Sequence, residues 1–243
     1  MTSTNSDRAV KLRPIPRLAA ILVLVLLMTL AGIRIYAWHS LDKNTRLLTL
    51  VNPWNPLSET GYTAKLTVAE NGFLVDRACA DSLQKMLSDC RSAGRKPVLK
   101  SAYRSVDDQL ELFDGEVQRL VETGMSPEDA EAVVLRTIAK PGRSEHELGL
   151  AVDIVDADYT VEDETQSTTP TAQWLSENAW RYGFILRYPQ SAEAVTGYSW
   201  QPWHYRYVGE DAAVNISSLG ITLEEYLSLF YSEEASVEVA AAA

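Results

Sequence analysis

Histidine and cysteine are both scarce in this chain, three of one and two of the other among 243 residues. The cysteines offer no cross-link. Cys79 and Cys90 fall in one expected helix, Phe73 to about Ala93, with apolar residues at Leu74, Ala78, Leu83, Met86 and Leu87. Their spacing is close to three helical turns, about 16 Å of rise, whereas a disulfide holds its Cα atoms within about 7 Å. Two separate, partly buried thiols are therefore expected. Positive charge is in deficit too. The net charge is −11, and an excess of that sign repels phosphate backbones, which excludes nucleic acid as a partner. No internal repeat and no regular strand–helix rhythm runs through the sequence. That excludes a doubly wound sheet and leaves an α+β fold. The composition, 46% apolar and 23% charged, is that of a globular protein.

What basic charge there is gathers at the start. Arg8, Lys11, Arg13 and Arg17 precede Leu18–Ile33, a run of 16 residues without a charge. A membrane helix needs about 20. Arg34 can snorkel toward the headgroups, which extends the span to Trp38, with Tyr36 and Trp38 as interfacial anchors. The positive-inside rule then places residues 1–17 in the cytoplasm as a basic tail and the bulk of the chain outside. The expected layout is a transmembrane anchor at 18–38, a linker at 39–49, a globular domain at 50–230 and a disordered tail at 231–243. A single-pass protein of the cell membrane follows, with its domain extracellular and monomeric. The rival reading is a signal peptide cleaved near Thr29-Leu30-Ala31.

Turn and cap signals divide the domain. Leu50–Leu57, with two prolines and two asparagines, reads as an extended lead-in. Val98–Tyr103 is a short strand. Val106–Thr123 is helical, and Ser126-Pro127 caps a helix running to about Ile138. Leu150–Val155 is a buried strand, Asp158–Thr171 a polar mobile loop, and Trp174–Tyr182 a helix that Gly183 closes. Phe184–Arg187 and Tyr205–Val208 are strands. A last helix starts at Thr222, where Glu224 and Glu225 suit the helix dipole.

Two of the three histidines stand in motifs that read as halves of one metal site. The first is Ser144-Glu145-His146-Glu147-Leu148-Gly149-Leu150-Ala151-Val152-Asp153, and the second is Gln201-Pro202-Trp203-His204. Catalytic zinc takes three protein ligands and leaves a fourth position open. His146, Asp153 and His204 supply such a set, if a turn at Gly149 returns His146 and Asp153 to one point. A lone histidine is more often a core or surface residue than a ligand, and His39 has no such context.

These motifs resemble the D-alanyl-D-alanine carboxypeptidases of the VanY type. That family's first signature, Ser-x-His-x-x-Gly-x-Ala-x-Asp, is met in full, and its second is Glu-x-Trp-His. The likeness runs from about Leu50 to Leu227. It includes Ser101-Ala102-Tyr103-Arg104-Ser105 with Gln109, Tyr182-Gly183-Phe184-Ile185-Leu186-Arg187-Tyr188-Pro189, and Arg206-Tyr207-Val208-Gly209. It implies one compact zinc-peptidase domain, a small antiparallel sheet flanked by helices, that removes the C-terminal D-Ala of peptidoglycan stem peptides. By the same resemblance His146, Asp153 and His204 hold Zn2+, Arg104 stabilises the oxyanion, and Ser144, Tyr103 and Gln109 contact substrate. The family's catalytic base is the glutamate three residues before the second histidine, and Gln201 stands there. An amide has no basic site near neutral pH. Another carboxylate can replace it, with Glu145, Glu147, Glu193 and the Glu162-Asp163-Glu164 run as candidates. Alternatively the chain is a catalytically impaired, zinc-containing peptidoglycan-binding module. L,D-carboxypeptidase and endopeptidase variants use the same metal.

Overall fold

Residues 45–231 are described in the computed structural model of the chain. The expected basic tail, the anchor and residues 232–243 lie outside the described residues. Among those described, no helix is long and apolar enough to cross a membrane.

The chain enters through a 3₁₀ turn, Thr45–Leu48. These residues belong to the domain and not to a linker. Leu47 is buried in the core, Arg46 pairs with Asp76 at 2.7 Å, and the Arg206 guanidinium donates to the Leu47 and Thr49 carbonyls. A hairpin follows, β1 (Leu66–Val68) against β2 (Leu74–Asp76). Its second strand takes what was expected to be the first turn of a helix. Asp76 is the reason. Its carboxylate accepts from the Ala78 N–H, so it caps α1 (Arg77–Ser92) and leaves Leu74 outside it. Cys79 and Cys90 are both buried and free, and α1 packs them on one face with Leu83, Met86 and Leu87.

The main sheet has four antiparallel strands in the order β3 (Pro97–Ser101), β4 (Ala151–Asp156), β6 (His204–Tyr207), β5 (Phe184–Leu186). Every residue of β4 is buried. It lies between β3 and β6, and the core joins Leu99, Val152, Ile154, Phe184 and Tyr205 to the apolar face of α1. Helices α2 (Val106–Glu122) and α3 (Pro127–Val134) connect β3 to the motif at Ser144. Ser105 forms a capping box with Asp108, and Ser126 caps α3 with Pro127 inside its first turn. The helix stops at Val134, one turn sooner than expected.

The stretch 158–171 is structured, contrary to expectation. Asp163 caps a 3₁₀ turn, Glu164–Thr168. The buried Gln166 donates to the Tyr159 and Val161 carbonyls and accepts from the Asp156 N–H. Helix α4 (Pro170–Asn178) begins inside this stretch because Thr169 caps it. A single helical turn, α5 (Glu193–Thr196), precedes β6, and α6 (Glu210–Leu219) and α7 (Leu223–Tyr231) end the described chain.

Gly149 makes the close turn expected of it. Its φ is 68°, and a Cβ there would stand 2.9 Å from the Asp76 backbone nitrogen. Gly149→Ala is expected to lower unfolding stability by about 1–3 kcal/mol, the cost of a non-glycine residue held in the left-handed region. Denaturant melting checks this, and an unchanged midpoint would contradict it.

Candidate active site

Strand register brings the first two site residues together. Asp153 on β4 lies directly opposite His204 on β6, a relation that sets Cβ atoms about 4.5–5.5 Å apart. The third comes from the 3₁₀ turn Glu145–Leu148, which Gly149 ends and turns into β4. The ligand atoms of His146, Asp153 and His204 all lie within 4.8 Å of one another, and all three residues are buried. Asp153 spans the histidines. Its Oδ2 is 3.1 Å from His146 Nε2, and its Oδ1 is 2.9 Å from His204 Nδ1.

The far nitrogens show whether a metal fits. His146 Nδ1 lies 2.7 Å from the Ala102 carbonyl oxygen. A carbonyl only accepts, so Nδ1 carries the proton and Nε2 keeps a lone pair toward Asp153. His204 Nε2 faces Glu145 Oε2 at 3.7 Å. Both atoms are buried and neither has a hydrogen-bond partner. A proton on Nε2 beside that carboxylate again leaves the inward nitrogen, Nδ1, free to ligate. The Ala102 carbonyl thus fixes the His146 tautomer, while at His204 the Glu145 carboxylate, beyond hydrogen-bond reach, favours a proton on Nε2 by its charge; proton-free inward nitrogens are what a bound zinc requires.

Burial would raise the Asp153 carboxyl, but the two histidines outweigh it and hold the group far below the carboxylate range. Burial lowers His146. For His204 burial acts the same way, yet the Asp153 and Glu145 carboxylates reverse it and raise the imidazole. A divalent cation competes with protons for these same nitrogens.

Behind His204 lies a network the sequence did not reveal. Glu145 Oε1 accepts from Arg187 Nε at 2.8 Å and from Arg206 Nη1 at 2.6 Å. Both arginines are fully buried. Burial pushes the Glu145 carboxyl up, and the two guanidiniums more than reverse this, so it stays ionised. Arg187 also makes two hydrogen bonds to Glu224 on α7, at 2.9 and 2.6 Å. Glu225, its neighbour, is the one that caps the helix, through Thr222. The Tyr188 ring packs on His204 at 4.8 Å between centroids.

In front of the ligands opens a cleft of about 270 Å³. Arg104, Ser144, Gln109, Gln201 and Trp203 all line it. Arg104 is held by neutral groups, Gln109 Oε1 at 2.7 Å and Ser101 Oγ at 2.8 Å, and no carboxylate among the described residues pairs with it directly. Gln109 has both ends engaged, since its Nε2 donates to the Ala139 carbonyl. It braces Arg104 more than it offers a free group to substrate. Tyr103 departs from expectation. It is not among the residues lining the cleft, and its N–H donates to the Leu74 carbonyl in the β1–β2 hairpin. Gln201 donates its amide to the Thr137 carbonyl at 3.0 Å.

The carboxylates proposed as stand-ins separate by position. Glu145 is locked in the arginine network. Glu193 contacts Arg136 and Ser199 at the surface. Glu147 accepts from the Gly142 N–H and lies outside the cleft lining; burial raises its carboxyl to about 7. Asp163 caps the 3₁₀ turn. Glu162 lines the cleft.

The family profile described as "VanY: D-alanyl-D-alanine carboxypeptidase" matches residues 72–210, more than half of the chain. The chain belongs to the VanY family. A D-alanyl-D-alanine carboxypeptidase of Enterococcus faecalis is 39% identical over 188 residues, 77% of this chain and 68% of that protein. The crystal structure of a VanY D,D-pentapeptidase variant with Zn(II), from a VanB-type resistance cassette, is 40% identical at a TM-score of 0.66. It aligns over 74% of this chain and 98% of its own. VanYB in complex with D-alanine-D-alanine is 39% identical at a TM-score of 0.67, over 74% and 97%. Like its relatives, this VanY-family chain is a zinc peptidase, and its three-ligand cluster fits that metal.

Arg187→Met is expected to cost about 3–5 kcal/mol, because it strips a buried partner from two carboxylates at once. Chemical denaturation measures it, and a loss below about 1 kcal/mol would match an exposed pair instead.

Proposed function

We propose that this protein is a zinc-dependent D-alanyl-D-alanine carboxypeptidase that removes the C-terminal D-Ala from peptidoglycan stem peptides. The observation that carries the reading is the cluster of His146, Asp153 and His204, their ligand atoms within 4.8 Å of one another, in a cleft that Arg104 also lines. His146 Nε2, Asp153 and His204 Nδ1 would hold the metal. Bound there, zinc supplies Lewis acidity, polarising a carbonyl and acidifying water.

The other roles belong to side chains. Arg104, lacking an acidic partner, directs its positive charge into the cleft, where the oxygen of the scissile carbonyl gains negative charge. A donor so placed contributes about 10²–10³-fold in rate. The Ser144 hydroxyl makes no hydrogen bond among the described residues and is available to substrate. Gln109 keeps Arg104 in place. Trp203 sits beside His204 in the cleft wall, and its carbonyl accepts from Ile154 in β4, so it holds the ligand strand in position. Gln201 can donate and accept hydrogen bonds but cannot take up and release a proton near neutral pH. The apolar segment at 18–38, free of charge through Ile33 and interrupted by Arg34 alone, with its basic flank, supports an anchor that keeps a monomeric domain on the outer face of the cell membrane.

Full-length protein loaded with zinc is expected to release D-Ala from a stem pentapeptide. Chelation should abolish release and added zinc restore it. A tetrapeptide run in parallel should stay intact, since cutting it would mean L,D specificity. Peptide binding without release from either substrate would contradict the reading and favour a binding module.

A further inference from the structure

Amide hydrolysis moves one proton a short distance. As the water oxygen bonds to the carbonyl carbon, an O–H bond must break, and as the C–N bond breaks the departing nitrogen must gain a proton. A single positioned group that accepts the first can also deliver the second. Among the described residues lining the cleft, few can do so. Asp153, His146 and His204 are committed as ligands. Glu145 has an oxygen shared by two buried guanidiniums and no exposure. Glu116, on α2, is paired with Arg119 at 2.8 Å. Gln201 is an amide.

We propose that Glu162 is the proton carrier of this site. It lines the same cleft as the ligands, the residue is exposed overall, and it makes no hydrogen bond or ion pair among the described residues. The backbone beneath it is fixed. Gln166 grips the carbonyls of Tyr159 and Val161 on one side. On the other, Asp163 accepts from the Tyr159 hydroxyl and the Thr165 N–H. A free carboxylate on a pinned loop can turn toward the reacting atoms and away again. The charged groups around it are Asp153, Lys100, Arg104 and His204. Glu162 takes a proton from the water as the carbon–oxygen bond forms, and returns it to the D-Ala nitrogen as the carbon–nitrogen bond breaks. The peptide acid and the free amine leave, and the carboxylate is regenerated.

This assignment rests on the carboxypeptidase reading, and one set of variants separates the two. Turnover, zinc stoichiometry and calorimetric binding of D-Ala-D-Ala are measured for the full-length wild type, E162Q, E162D, Q201E and E162Q/Q201E. E162Q should lose about 10²–10⁴-fold in kcat, with zinc content, dipeptide binding and KM held. E162D should keep part of the rate. E162Q/Q201E should recover activity, because a carboxylate again faces the cleft. An E162Q enzyme that turns over like the wild type overturns the assignment and leaves the carboxypeptidase reading standing. Loss of zinc in E162Q, or an inactive double variant beside an active Q201E, overturns it as well, since Glu162 would then support the site and not carry the proton. A wild type that releases nothing while Q201E does would sink both.

Discussion

One buried carboxylate organises this molecule. Glu145 sits between Arg187 and Arg206, and each arginine ties in a further part of the chain. Arg187 reaches Glu224 on the last described helix, which Asn52 also contacts at 3.1 Å. Arg206 reaches the carbonyls of Leu47 and Thr49. The entry segment, the sheet and the C-terminal helix thus converge on one oxygen. Burying so many charges is tolerable only when every one has partners, and removing one leaves its neighbours exposed to the full cost of desolvation. Of the Glu145 oxygens, Oε2 alone is left over, and it points at His204.

That leftover oxygen links folding to chemistry. The antiparallel register of β4 and β6 decides that Asp153 and His204 face each other, and a one-residue slip would send both to the opposite face. Register alone does not choose which imidazole nitrogen points inward. For His146 the hydrogen-bonded Ala102 carbonyl does, and for His204 the charge of Glu145 across 3.7 Å biases the choice. Gly149 completes the arrangement by letting the His146 turn run straight into β4 against the Asp76 backbone. Stability, tautomer and ligand geometry therefore share the same few residues.

Much of this was legible in the sequence where the signals are local. The Ser126-Pro127 cap marked its helix, and the residue types of the two histidine motifs marked the ligand set, which the structure brings together. What escaped depends on distant partners. The β1–β2 hairpin was hidden because its second strand continues into an amphipathic helix, and only the Asp76 cap separates them. Helix α6 follows Gly209, which offers no side-chain cap, so nothing announced its start. Glu224 read as a dipole-complementing residue because its partner lies far away in sequence. The Asp158–Thr171 stretch looked mobile from its polarity, yet the single buried amide of Gln166 orders it. Ranking the candidate carboxylates needed that loop in place.

The central claim is that Glu145, clamped by its arginines, sets the His204 nitrogen that binds metal. Competitive chelator titration of zinc against the wild type and Glu145→Gln tests it most directly, with melting to confirm that the variant is folded. An outer-shell partner of a histidine ligand is typically worth 10–100-fold in metal affinity, and a weakening of about that size is expected in the folded variant. Equal zinc affinity in a folded Glu145→Gln would contradict the account and reduce the network to a purely structural role.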